Sequence, residues 1–129
     1  MAERHAACSC GQLHLVAEGD PIRVSICHCL ACQRRTGSAF GIQARFARNQ
    51  VRIEGRSTEY VRISDDGGSR TFHFCPQCGG SVFFLLDEQD IGVPVGVFAD
   101  PSFPQPVRSI YESRQHPWVT LPTDLEHYD

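Results

Sequence analysis

Cys27-His28-Cys29-Leu30-Ala31-Cys32 places three thiols within six residues. Two pairs stand far from it along the chain, Cys8-Ser9-Cys10 upstream and Cys75-Pro76-Gln77-Cys78 downstream, and together these groups use all seven cysteines. An odd number excludes complete internal disulfide pairing, so metal is the better reading of thiols grouped this way. Four thiolates close a tetrahedral zinc site, whereas three leave a coordination position open. The count of four plus three points to one structural zinc and one chemically available zinc.

A Cys-x-x-Cys knuckle presents two thiolates to one metal from a single turn, and a bent Cys-x-Cys does the same. Each pair alone is incomplete, so Cys8 and Cys10 are expected to meet Cys75 and Cys78 on one zinc. Such a site contributes on the order of 10 kcal/mol to folding. A redox Cys-x-x-Cys of the thioredoxin kind is disfavoured by the missing βαβ pattern. In the central motif, Cys29 is shared between a Cys-x-Cys and a Cys-x-x-Cys, so one short loop supplies three ligands. The bland alternative is a second structural zinc completed by His28, His73 or His116, and another is a set of oxidation-prone thiols. His28 lies between two ligands, and its ring is expected to point away from the metal they share. A three-thiolate zinc is a weak Lewis acid but suits an incoming thiol, which coordination keeps deprotonated.

The chain has 129 residues, an apolar fraction of 41% and a net charge of −3, the profile of one globular domain spanning 1–129. All twelve basic residues are Arg, which removes lysine Schiff-base chemistry. Their scatter leaves no evident nucleic-acid footprint, although Arg34, Arg35, Arg45, Arg48, Arg52 and Arg56 could form a local basic surface. The N-terminus lacks the apolar run of a signal peptide, and no window is apolar enough to span a bilayer. Clustered thiols without export signals belong in a reducing compartment, so the expected location is cytoplasmic, with no membrane partner.

Gln12–Glu18 alternates with Leu13, Leu15 and Ala17 on one face, the pattern of a half-buried strand. Val24–Ile26, Ala39–Phe46, Val51–Ile53, Ser57–Ile63, Arg70–Phe74, Ser81–Leu86 and Ile91–Phe98 read as further strands. Gln33–Gly37 reads as one helical turn stopped by Gly37. Asp65-Asp66-Gly67-Gly68 is a turn that makes a hairpin of its neighbours, and five prolines after Asp100 predict a tail without long elements. Short strands between frequent turns indicate an all-β domain.

The three linked motifs, Cys8-Ser9-Cys10-Gly11, Cys27-His28-Cys29-Leu30-Ala31-Cys32-Gln33-Arg34-Arg35-Thr36-Gly37 and Phe74-Cys75-Pro76-Gln77-Cys78-Gly79, resemble the glutathione-dependent formaldehyde-activating enzyme family over about residues 8–120. Ile110-Tyr111 and Pro117-Trp118-Val119 look like its closing strand and following Trp. The resemblance implies an all-β, Mss4-like (β-tent) fold, with Cys8, Cys10, Cys75 and Cys78 on the structural zinc and Cys27, Cys29 and Cys32 on the catalytic one. It also implies a carbon–sulfur lyase that condenses formaldehyde with glutathione.

The matching expectation is that a small thiol meets the open zinc and its thiolate attacks an aldehyde, with Arg34 and Arg35 binding substrate carboxylates. Trp118, with Phe40 or Phe98, is a candidate pocket wall, the alternative being core. A non-catalytic zinc-stabilised binding module is the rival function. Retention of the three-cysteine motif favours the enzyme, because four cysteines suffice to hold a scaffold.

Overall fold

The computed structural model describes residues 2–64 and 67–129. In chain order its strands are β1 (Glu3–Ala7), β2 (His14–Glu18), β3 (Arg23–Cys27), β4 (Gly41–Ala47), β5 (Val51–Glu54), β6 (Thr58–Ile63), β7 (Ser69–Phe74), β8 (Ser81–Leu85), β9 (Asp90–Pro94), β10 (Arg108–Ile110) and β11 (Glu126–His127). The single α-helix among the described residues, α1 (Leu30–Thr36), follows β3.

These strands form two sheets. The smaller has the order β1-β2-β5, and the larger runs β11-β10-β3-β4-β9-β8-β7-β6. All pairs are antiparallel except those of β10, which lies parallel to both β3 and β11. Successive side chains of a strand point to opposite faces, and that alternation builds the molecule. Leu13, Leu15 and Ala17 from the small sheet bury against Val24, Ala44, Phe46, Ile91 and Val93 from the large one. The intervening residues of the large sheet, among them Ser25, Cys27, Gln43, Arg45 and Gly92, face a cavity on its other side.

The all-β expectation holds. The helix at Gly37 is also found, with Gly37 in the left-handed region at φ 70°, its amide donating to the Gln33 carbonyl. It is longer than one turn because Cys29 caps it: the Cys32 amide donates to Cys29 Sγ at 3.3 Å. Two strand expectations need correction. The Ile91–Phe98 run stays extended only to Pro94 and then coils into a 3-10 turn over Val95–Phe98. Proline brings no N–H to continue a ladder. β1 went unread because Glu3-Arg4-His5 offers no apolar alternation, yet it pairs with β2 along its whole length. β6 and β7 form the expected hairpin. Asp65 and Asp66 of its predicted turn lie outside the described residues. The tail holds only the short β10 and β11.

Candidate metal centres and an arginine-lined cavity

Cys8 and Cys10 follow β1, and Cys75 and Cys78 lie between β7 and β8, so one cluster ties the small sheet to the large one. Cys10 Sγ is 3.7 Å from Cys8 Sγ and 3.6 Å from Cys75 Sγ, and all four sulfurs lie within 4.8 Å of one another. Tetrahedral zinc at about 2.3 Å from each thiolate sets sulfurs about 3.8 Å apart, so this donor set fits the ion. Amides prepare it for thiolate charge: Leu13 N–H donates to Cys8 Sγ at 3.4 Å, Gln77 N–H to Cys75 Sγ at 3.3 Å and the Gln12 carboxamide to Cys75 Sγ at 3.0 Å. Burial pushes the Cys75 pKa up, but hydrogen bonds from Gln12 and the Cys78 and Gln77 amides outweigh it and bring it down to about 6. Gly80 lets the knuckle pack closely against the other pair, since a Cβ would sit 3.1 Å from Cys8 Cβ.

The second cluster is local in sequence. Cys27 ends β3, Cys29 caps α1 and Cys32 sits in the first turn, and their sulfurs all lie within 4.8 Å of one another. Among the described residues no histidine or carboxylate joins them. The ring of His28 is fully buried on another course, its Nε2 2.9 Å from Ser109 Oγ, and burial lowers its pKa. His73 stacks on Phe83 and its Nδ1 meets Ser57 Oγ at 2.9 Å, while His116 Nε2 meets Gln33 Oε1 at 2.9 Å. Sharing of hydrogen bonds with the Cys27 and Cys32 thiols holds Cys29 far below the ordinary thiol range, helped by the Cys32 amide and the charge of Arg62. The same sharing pushes Cys27 upward.

The three cysteines open onto a cavity of about 580 Å³. Arg35 crosses its floor with its guanidinium 5.4 Å from the centre of Phe72 and 5.5 Å from that of Phe84, and Nη2 3.9 Å from Cys32 Sγ. Phe72 and Phe84 pack at 5.2 Å. Gly92, paired opposite Phe84, makes room for that ring: a Cβ there would fall 2.3 Å from it. Arg62 lies 5.0 Å over Phe72. Its charge reaches Cys29 although β6 and β3 are five places apart in sheet order, so the large sheet is rolled around the cavity. Arg34 is exposed on α1 and does not line the cavity. Trp118 is 72% exposed and outside the lining, and Phe98 is core, stacked on Phe103 at 4.5 Å. Phe40 edges onto the His28 ring instead. The aromatic residues of the lining are thus Phe72, Phe84 and Tyr111, none of which the sequence placed at the site.

More basic residues were missed. Arg23 and Arg108, with the already noted Arg45, line one end of the cavity, and Arg62, Arg70 and Arg114 line other parts of its wall, while among the described residues no Asp, Glu or His belongs to it. The expected basic surface does not form as one patch: Arg35 and Arg45 face the cavity, whereas Arg52 pairs with Glu3 and Glu18 at the small sheet. A second depression beside Cys8, along β1 and the Val95–Phe98 turn, opens broadly to solvent.

A family model described as glutathione-dependent formaldehyde-activating enzyme matches residues 3–114. The chain belongs to this family. A crystal structure of a Rhodobacter sphaeroides protein superposes with a TM-score of 0.54 at 20% identity, covering 72% of this chain and 85% of that one. At that identity the likeness speaks for the fold alone, and it agrees with the Mss4-like architecture. No curated protein matches the chain. Both cysteine clusters of this family member could hold metal ions, and no described helix is long and apolar enough to cross a membrane.

Proposed function

We propose that this protein is a zinc-dependent carbon–sulfur lyase-type enzyme, acting as a single domain in the cytoplasm. It joins a small thiol such as glutathione to formaldehyde or a related aldehyde and cleaves the same adduct. The observation that carries this reading is the convergence of Cys27, Cys29 and Cys32 on a cavity wall without a fourth protein ligand among the described residues. In the forward direction a sulfur–carbon bond forms as the carbonyl π bond breaks, and the thiol proton ends on the new hydroxyl. The reverse step regenerates thiol and aldehyde.

Cys27, Cys29 and Cys32 would hold the zinc, which when bound would keep a substrate thiol deprotonated at neutral pH. The chain's own residues supply the surroundings. Arg35 and Arg62 offset the charge of three thiolates gathered at one point, and the Cys32 amide fixes Cys29. Phe72, Phe84 and Leu30 line the approach with apolar surface. With no acidic or histidine side chain among the described lining residues, the proton reaches the product oxygen from solvent. Arg35 is the better placed of the two expected substrate arginines, and Arg34 contributes through the field near the mouth.

The binding-module alternative needs only the four-cysteine zinc, and the second cluster's position in a cavity supports chemistry instead. The test is zinc stoichiometry on anaerobically purified protein beside Cys29→Ser, with glutathione titrated in. Two zincs falling to one in a folded variant, with glutathione perturbing only the lost site, is the expected result. One zinc in the wild type, untouched by glutathione, overturns the proposal.

A further inference from the structure

The arrangement of arginines in the cavity is electrostatically costly. Arg23 on β3 lies directly opposite Arg45 on β4, and Arg62 on β6 directly opposite Arg70 on β7. Like charges at facing positions destabilise a sheet. Arg108 on β10 pairs with Ser25, one diagonal step from Arg23, on the same cavity face. Arg45 is balanced by Asp90 at 2.6 Å and Asp87 at 3.5 Å. Arg23 and Arg108 have no carboxylate within ion-pair distance among the described residues. Glu126, the nearest acid on β11, takes the Tyr128 hydroxyl at 2.7 Å.

Arg108 is already held in place. Its Nε donates to Ser25 Oγ at 3.2 Å, and its guanidinium lies 5.9 Å from the Tyr128 ring centre. Arg23 and Arg108 form no direct ion pair, and the one Glu126 carboxylate opposite Arg108 and within charge range of Arg23 offsets only part of their charge. Two guanidinium groups at one end of a cavity suit an anion, and their planar donor forks suit phosphate oxygens. Arg23 and Cys27 stand four residue steps apart on β3, about 13 Å of strand. Between them Gln43 stands opposite Ser25 and contributes to the same cavity wall. Glutathione, by contrast, brings an ammonium group, and the described lining residues offer that group no carboxylate.

We propose that Arg23 and Arg108 form a phosphate subsite, so that the preferred substrate is a thiol that carries a phosphate at its far end. This rests on the reading that substrate sulfur meets Cys27, Cys29 and Cys32. Phosphate at one end and thiol at the other then span the cavity.

The experiment compares binding of 4′-phosphopantetheine, pantetheine and glutathione to zinc-loaded protein by calorimetry. The variants are Arg23→Gln/Arg108→Gln and Cys29→Ser, each checked for native circular dichroism. Wild-type protein is expected to bind the phosphorylated thiol at least about tenfold tighter than pantetheine, since hydrogen bonds to charged groups are among the strong ones. It should also prefer it to glutathione. The double arginine variant should bring the ratio of the two pantetheines close to one while leaving pantetheine affinity in place. Equal affinities in the wild type, a ratio unchanged by the double substitution, or tighter glutathione binding each overturn the subsite. A phosphate preference that depends on the arginines but is indifferent to Cys29→Ser upholds the subsite and removes the thiol reading instead. If the double variant misfolds, the single Arg108→Gln and the salt dependence of the phosphopantetheine affinity decide: a ratio that does not fall with rising salt overturns the proposal.

Discussion

The four-cysteine and three-cysteine clusters use the same donor atom for opposite ends. The first gathers ligands from two places far apart in the chain, and all its positions are filled by protein. The second draws its ligands from six consecutive residues and keeps one side turned to a charged cavity. A cluster built from distant segments carries the fold, because removing it separates two sheets. One built from adjacent residues can be lost while the fold stays, so it is free to serve chemistry.

The largest effect follows from that contrast. Cys75→Ser removes a ligand that is fully buried between the sheets. Metal-derived folding energy is on the order of 10 kcal/mol, comparable to the whole stability of a small domain. The variant is expected to be unfolded by circular dichroism, while Cys29→Ser melts as one cooperative unit and lacks only one metal equivalent. A folded Cys75→Ser would break the comparison.

Gly92→Ala comes next. The added methyl displaces the Phe84 ring and with it the platform under Arg35, at a cost of about 1–3 kcal/mol. Thermal melting reads the cost, and metal analysis should find the four-cysteine site still filled.

Acid should separate the clusters. Protons compete with metal for thiolates, and a raised thiol pKa lets protons win at higher pH. Cys27 and Cys32 are raised, the former most by its shared hydrogen bond with Cys29; for Cys32 the bond with Cys27 pulls down but the bond with Cys29, burial and the Cys29 charge prevail. Cys75 is lowered to about 6 and Cys78 is lowered as well, chiefly by the Cys10 amide. In metal-free protein, the stabilisation tied to the low Cys75 value is present above the ordinary thiol range near 9 and is lost as pH falls through about 6. Each cluster has an exception, Cys10 being raised to about 11 and Cys29 lowered. The three-cysteine site also has one protein ligand fewer, so a chelator titration on acidification should release metal in two steps with that site emptying first. Simultaneous release would overturn the assignment of separate roles.

Arg35→Met keeps the bulk over Phe72 and Phe84 but removes the charge beside Cys32. Metal affinity at the three-cysteine site is expected to fall about tenfold, with the four-cysteine site unchanged. Trp118→Ala should do least, within about 0.5 kcal/mol by melting and without effect on ligand binding, because that ring stands in solvent.

Much of this was legible from the chain alone. Cysteine spacing is a covalent fact, so both clusters and their membership could be read before any fold was known. Leu13, Leu15 and Ala17 announced their buried face by alternation. The basic cavity was different, because its arginines come from five strands, from α1 and from the 3-10 turn at Glu112–Arg114, and meet only when the large sheet rolls. Arg34-Arg35 drew attention by standing next to the cysteines, yet only Arg35 reaches the cavity, since successive helical positions point about 100° apart. One signal was present: Arg23, Ser25 and Cys27 alternate along β3, which puts Arg23 on the face of the cysteine. Phe84 was equally hidden, its position decided by a glycine on a neighbouring strand.

The chain order of the ligands also sets a timetable. A ribosome adds about 5–20 residues per second, and Cys75 follows Cys32 by roughly 40 residues, so the three-cysteine loop is complete for seconds before the other cluster can close. Cys8 and Cys10, made first, must wait for the last ligands to emerge. During synthesis the reactive loop is thus the first place able to capture metal, and closure of the two sheets is the final act of maturation.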